Sequence, residues 1–371
     1  MPNNKRNTAF NKIQPLSLSH VNYCLTETVM SKKKILCFGE LLLRISPDLS
    51  GDWLQLHQLP FFVGGAEANV ATALARWGLQ PAYFSALPDN EMSVDLLKYL
   101  QDQGIDTSAV ILRDGRLGLY YLPKGKDLQH ASVIYDRAHS AFAQLQPADI
   151  NWENIFEDVA WFHFSAITPA LSASLAAVCE AAVIAAGELG IPMSVDLNYR
   201  ARLWQYGMTP QQIMPSLVKH CTLVMGNVWA TEKMLGIPVD ILANEGNTQD
   251  QYIAQAARSA TALMEAYPTV KAVANTFRFD QPGGGISYYA TLNTSNITEV
   301  SRTHTAAAII DKVGSGDCFM AGLLYGHTQG HPWKQTLEFA AAAAFNKLFI
   351  ESDATTSNVA TIHQILLSNE S

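Results

Sequence analysis

Cysteine is scarce in this chain, and its spacing makes no pair. Cys24, Cys37, Cys179, Cys221 and Cys318 are scattered with no CxxC between them. An odd count in mostly apolar surroundings reads as reduced, buried thiols, as expected of a cytoplasmic protein. Long apolar runs are missing too. No uninterrupted stretch reaches the roughly 18 residues a spanning helix requires, so no membrane partner is expected. There is no Lys/Arg stripe and the formal net charge is −8, which argues against nucleic acid as the main partner. The one basic cluster, Lys32 to Lys34, reads as a solvated flank. No GxGxxG follows the first strand, so a redox enzyme of the dinucleotide-binding kind is disfavoured.

What is present is a globular composition, 371 residues of which 48% are hydrophobic, enough for one large core or two domains. The first thirty residues are polar, rich in Asn, Ser and Thr, and lack the apolar segment of a secretory signal. They read as a disordered extension, with a start at Met30 as the alternative, and residues 31–371 as the functional domain.

Residues 35–39 form a short apolar run closed by glycine, a buried strand of an α/β sheet. Residues 41–62 break into short alternating pieces that look like strands outside the main core. Gly64-Gly65 opens a helix over 66–77, residues 82–86 form a further strand, and 91–103 an amphipathic helix closed by Gly104. Strand character returns at 118–122 and 132–135, so 112–137 is expected to join 41–62 in a small separate sheet. Beyond Asp158, strands at 159–164, 192–196, 222–225 and 270–274 alternate with helices, of which 170–189 is long and alanine-rich. Such alternation implies a mostly parallel sheet covered on both faces. Ligands in such sheets bind beyond the carboxyl ends of the strands, where Asp196, Gly226-Asn227 and Asn275-Thr276 are expected.

The most informative stretch is 311–318, Asp-Lys-Val-Gly-Ser-Gly-Asp-Cys. A small, β-branched run leads into it, and residues 319–325 behind it have the content of a buried helix. Gly314 and Gly316, at a loop-to-helix junction, free the backbone to turn its N–H groups toward a ligand, and the helix dipole adds positive potential. That is an anion hole. A carboxylate beside it would repel phosphate, so Asp317 needs a reason; taking a proton from an attacking hydroxyl supplies one. The alternative makes Asp317 a helix N-cap and the glycines a tight turn.

Together with Gly64-Gly65-Ala66-Glu67-Ala68-Asn69, this pattern resembles the two signatures of ribokinase-like (PfkB) carbohydrate kinases, in the right order and with a strand-rich insert between core elements. The resemblance runs from about residue 33 to the C-terminus. It implies a three-layer α/β core with a mostly parallel central sheet, a small β-sheet lid over a sugar, and ATP with Mg²⁺. Within the family, residues 39–44, 115–120, 134–137, 164–171 and 194–204 are similar to those of 2-keto-3-deoxygluconate kinases. Position by position, the resemblance makes Asp317 the catalytic base and the amides of Gly314, Ser315 and Gly316 the anion hole. It puts Gly65 and Asn69 against the sugar, with Tyr120 and Tyr135 approaching from the lid. Asp353 helps position substrate, with Lys347 upstream of it. Asn227 lies near magnesium and phosphate, and Thr276 and Arg278 on the nucleotide side. Packing alone is the plainer role for the tyrosines, and the preferred one for Tyr121.

Charge points to an acidic substrate independently. Arg200 lies just past a strand end and Arg137 closes a lid strand; two guanidiniums converging on one cleft suit a carboxylate. The plainer alternatives are an exposed Arg137–Asp136 pair and a loop salt bridge for Arg200. Three places depart from the family pattern. Val228, Trp229 and Ala230 follow Asn227, so the acidic residue of the Asn-x-x-Glu/Asp motif is missing and Glu232 comes two positions late. Ala166 and Ser352 stand where Gly is common, and each added Cβ is expected to crowd the site or alter substrate choice. The resulting expectation is an ATP-dependent kinase acting on the terminal hydroxyl of 2-keto-3-deoxygluconate, as a homodimer or higher homo-oligomer. The alternatives are a kinase of a neutral sugar such as fructose or ribose, and a catalytically weak paralogue that binds sugar or nucleotide.

Overall fold

The apolar run at 35–39 forms strand β1 (Lys34–Phe38), and its alternation shows how the core is built. Ile35 and Cys37 join one hydrophobic cluster and Leu36 and Phe38 another, because both faces of the sheet carry helices. The computed structural model describes residues 34–48, 52–123, 133–241, 246–281 and 283–368. The extension 1–30, Cys24 and most of the basic flank lie outside them. Residues from Lys32 onward form one compact unit.

After β1 come β2 (Leu42–Ile45), α1 (Asp52–Leu56), β3 (Phe61–Gly64), α2 (Ala66–Arg76), β4 (Pro81–Phe84), β5 (Ala86–Pro88) and α3 (Glu91–Gln101). Then follow β6 (Ile111–Arg113), β7 (Gly118–Tyr121), β8 (Ile134–Asp136), α4 (Trp152–Ile155), β9 (Val159–Ser165), α5 (Ile167–Ala170), α6 (Ala173–Glu188) and β10 (Met193–Asp196). The chain continues through α7 (Pro210–Val218), β11 (Leu223–Gly226), α8 (Val228–Leu235), α9 (Gln249–Ala266), β12 (Ala272–Asp280) and β13 (Ile286–Asn293). It ends with β14 (Thr298–Val300), β15 (His304–Ala306), α10 (Ser315–Thr328), α11 (Trp333–Lys347) and α12 (Val359–Ser368).

The central sheet has the order β14-β13-β12-β11-β10-β9-β1-β4, with β15 also on β13. It is parallel from β12 through β4 and antiparallel beyond β12. Helices α2, α10 and α11 cover one face and α6, α7 and α9 the other, giving the expected three layers. A separate small sheet has the order β3-β2-β7-β8, with β2 and β7 parallel between two antiparallel pairs. Among the described residues no helix is long and apolar enough to cross a membrane. Cys37, Cys179, Cys221 and Cys318 are buried free thiols.

Four details differ from expectation. Residues 111–113 do not enter the small sheet; β6 pairs with β5 instead, which also splits the strand expected at 82–86. The segment between β2 and β3 contains a short helix, α1, rather than strand alone. The helix expected from 170 to 189 starts later, at Ala173, because Ser172 caps α6 by accepting the Leu175 N–H, and Ala170 ends the separate short helix α5. Asn275-Thr276 lie within β12, not at its end. They are level with the end of β11, whose last residue, Gly226, pairs with Asn275.

Helix α10, which carries the glycine-rich turn at its start, is held against α11 by small residues. A Cβ at Gly322 would sit 2.5 Å from the Ala340 Cα, so only hydrogen allows the two backbones to come this close. Gly322→Ala should therefore force the helices apart and cost about 1–3 kcal/mol, the usual range for overpacking. Urea unfolding would measure it, and an unchanged midpoint would show that the seam is not tight.

Candidate active site

A cavity of about 730 Å³ opens between the carboxyl ends of the parallel strands and the small sheet. Every site residue inferred from the sequence lines it: Gly65, Asn69, Tyr120, Tyr135, Arg137, Arg200, Asn227, Thr276, Arg278, the run Gly314 to Asp317, and Asp353.

The floor is the N-terminus of α10. Gly314 is its N-cap, with a left-handed backbone (φ 75°), and a Cβ there would collide with the Asp353 carbonyl oxygen. Its own carbonyl accepts the Cys318 N–H, so the amides of Ser315, Gly316 and Asp317 lie ahead of the first intrahelical bond and are available to an anion. Ser315 turns its hydroxyl away from the cavity and donates it to the Ala344 carbonyl at 3.0 Å, anchoring the turn to α11. Asp317 is not the N-cap. It stands in the first turn, and its carboxylate accepts the Asn69 side-chain amide at 2.7 Å, which joins the two glycine-bearing motifs.

Carboxylates crowd this floor. Burial pushes the Asp317 carboxyl up to about 8; the Asn69 hydrogen bond opposes this, Asp196 and Glu67 add to it, and Arg200 draws it back. Burial also raises Asp196 to about 6, against the Asn198 N–H that it accepts and the field of Arg200. Glu67 is raised by burial as well, although one of its oxygens accepts the Ser165 N–H at 2.8 Å.

On the small-sheet side, Arg137 is neither exposed nor paired with Asp136, which bonds Arg116 instead. Arg137 is buried and paired with Glu40, its Nε 2.6 Å from Oε2, and Ser140 donates to the other oxygen at 2.5 Å. Its charge is already met within the protein. Arg200 differs: it donates to the neighbouring Tyr199 carbonyl at 3.1 Å, and among the described residues no carboxylate forms an ion pair with it. Tyr120 donates to Asp353 at 2.9 Å, and its ring lies 6.4 Å from that of Tyr135.

On the far side, Asn227 is the N-cap of α8, its side-chain oxygen accepting the Ala230 N–H at 2.8 Å. Lys233, Thr276, Arg278 and Lys312 line this end beside the aromatic residues Trp229, Tyr252, Phe277 and Phe279, and Lys312 is bound to Asp280. Glu232 does not reach the cavity and so does not replace the missing acid. Ala166 and Ser352 do not line it either, and neither has a positive φ. Three buried carboxylates without an assigned role, Glu40, Glu67 and Asp196, do line it. Their signal was a charged side chain next to apolar residues, a position that is buried only when partnered. Among the described residues no group of three or more His, Cys, Asp or Glu could hold a metal.

Comparison with known proteins agrees with this geometry. The pfkB family carbohydrate kinase model matches residues 32–358. The chain is 28% identical over 331 residues to 2-dehydro-3-deoxygalactonokinase from Haloferax volcanii, covering 86% of this chain and 92% of that one. It is 28% identical over 301 residues to fructokinase-1 from Oryza sativa, covering 78% and 81%. The solved structure of 2-dehydro-3-deoxygluconokinase from Thermotoga maritima superposes with a TM-score of 0.80 at 33% identity, covering 91% of this chain and all of that one, 100%.

A titration follows from the electrostatics. Because the folded Asp317 holds its proton up to about 8 while the unfolded chain releases it near 3.8, the folded state binds more protons in between, and stability falls as pH rises across that window. Asp317→Asn should flatten this fall. Urea unfolding at several pH values would check it; an unchanged slope would mean that Asp317 titrates as an ordinary carboxylate.

Proposed function

This chain belongs to the pfkB family of carbohydrate kinases, and we propose that it transfers the γ-phosphoryl group of ATP to the terminal hydroxyl of 2-keto-3-deoxygluconate, giving the 6-phosphate. The observation that carries the sugar-acid reading is Arg200. It is a guanidinium without a carboxylate partner among the described residues, lining the same cavity as Asp317 and near enough to influence its ionisation. A substrate carboxylate would complete that pairing through charge-assisted hydrogen bonds. The relatives named for deoxy sugar acids support the same class.

In this reading Asp317 accepts the proton of the attacking hydroxyl, and its raised pKa suits it to that work near neutral pH. Asn69 holds the carboxylate in place. The amides of Ser315 and Gly316 meet the charge on the transferring group, with Arg278 and Lys312 nearer the nucleotide. The small sheet acts as a lid that brings hydroxyl and phosphate into line and keeps water out. Magnesium would arrive on the nucleotide phosphates and supply charge neutralisation there, since no protein carboxylate cage is built for it among the described residues.

A neutral sugar is the second reading, and one observation favours it. Glu40 already neutralises Arg137, so the expected two-guanidinium clamp reduces to Arg200. One assay separates the two: wild type, Arg200→Ala and Asp317→Asn, each with ATP against 2-keto-3-deoxygluconate and fructose. Wild type should prefer the acid. Arg200→Ala should raise its KM about thirty-fold or more, the effect of truncating one partner of a buried charge pair worth about 2–5 kcal/mol, and affect fructose much less. Asp317→Asn should lose about 10²–10⁴-fold in turnover on either sugar. Preference for fructose, or equal losses from Arg200→Ala, would overturn the sugar-acid reading.

We also assign the small sheet as the contact of a homodimer. Leu54, Leu56, Phe61 and Ile134 on or beside it are each at least 60% exposed, and among the described residues β3 and β8 are its edge strands. Light scattering at micromolar concentration should give at least a dimer, weakened by Phe61→Asp. A strict monomer would refute it.

A further inference from the structure

Arg44 lies on β2, is only 3% exposed, and does not line the cavity. Its guanidinium nevertheless joins three parts of the chain. Nε donates to Asp353 at 2.6 Å, Nη2 donates to Asp311 at 2.7 Å, and the Phe62 ring of β3 packs 4.3 Å from the guanidinium carbon. Each carboxylate then has a second bond. The other oxygen of Asp311 accepts the Val313 N–H at 3.0 Å, which shapes the turn into Gly314. The other oxygen of Asp353 accepts the Tyr120 hydroxyl at 2.9 Å, and the Asp353 backbone carbonyl packs against Gly314. Lys347, fully buried at the end of α11, donates to the Ile350 carbonyl at 2.9 Å and acts electrostatically on the same two carboxylates. Two cations thus face two carboxylates behind the start of α10, with Tyr120 bonded to Asp353, the Cys318 thiol acting on Lys347, and Asp317 acting on Tyr120.

We propose that Arg44 is a positioning residue for phosphoryl transfer, bridging Asp311 and Asp353 so that the small sheet and the phosphate-binding turn take their places together. This rests on the reading of the α10 N-terminus as the phosphate site. A guanidinium can serve two carboxylates from separate edges, whereas an ammonium offers a point charge on a flexible stem. Without it, buried Asp353 and half-buried Asp311 share one ammonium, and Asp353, already raised by burial, holds its proton to still higher pH.

The test compares Arg44→Lys, Arg44→Met and the double variant Arg44→Met with Asp311→Asn, assayed on whichever sugar the wild type phosphorylates. A wrong sugar assignment therefore does not reach it, and a wrong phosphate site shows separately as turnover retained by Asp317→Asn. Arg44→Lys, which keeps the charge and tests the bridge even where Arg44→Met fails to fold, should lower kcat about tenfold or more. KM for both substrates should stay within about threefold, the mark of a loss confined to the transition state. Arg44→Met should lose on the order of a hundredfold and be most active at lower pH, where the unpaired carboxylate is protonated. Removing the surplus charge with Asp311→Asn should recover part of that loss and shift the optimum back upward. Arg44→Lys with wild-type kcat, or a soluble double variant with neither recovery nor a shifted optimum, would leave Arg44 a merely structural residue and overturn the proposal.

Discussion

Negative charge has been concentrated where a helix offers bare amides, and the cost of desolvating it governs the architecture around the cavity. Glu67, Asp196, Asp317 and Asp353 all have carboxyl groups held above their usual range, with burial the largest cause in each. None could remain there without compensation. Each relief comes from a different element: Asn69 from α2 for Asp317, the Ser165 N–H for Glu67, the Asn198 N–H for Asp196, and Arg44 with Tyr120 for Asp353. The positions of these elements are therefore set partly by electrostatics and not by hydrophobic packing alone.

The same demand separates the two arginines. Arg137 balances Glu40 inside the protein, and Arg200 is left facing the cavity. Their residue types are identical, yet one is part of the frame and the other is available to a ligand. On the proposed reading, the small-sheet side of the cavity discriminates by charge with Arg200 alone, because Arg137 is already paired.

Much of this was legible along the chain because its signals are local. The alternation of β1, the glycine at the start of α10 and the apolar run behind Asp317 each declare themselves within a few residues. What stayed hidden are partners far apart in sequence. Asp353 is 309 positions from Arg44, and Glu40 is 97 from Arg137, whereas the local candidate Asp136 bonds elsewhere. Backbone conformation was hidden for a different reason. Ala166 and Ser352, which stand where Gly is common, both have a backbone that any residue adopts, and that conformation is not written in the residue type. The split at Ser85 and the extension of β12 to Asp280 depend on which strand pairs with which, and no local pattern carries that information.

The parallel pairing of β2 with β7 has a kinetic side. Everything from α1 to β6 lies between these strands, so the small sheet cannot close until the intervening chain has been laid down. Such pairings form late, because the loop entropy must be overcome before any contact repays it. By the same reasoning the small sheet is the first part to open when the folded molecule fluctuates. A molecule caught in that partly open state would keep the glycine-capped start of α10 and lose Tyr120, Tyr135 and Arg137 from the opposite wall of the cavity. Proteolysis would then cut first at the small sheet, leaving the central sheet and its helices as the more durable fragment.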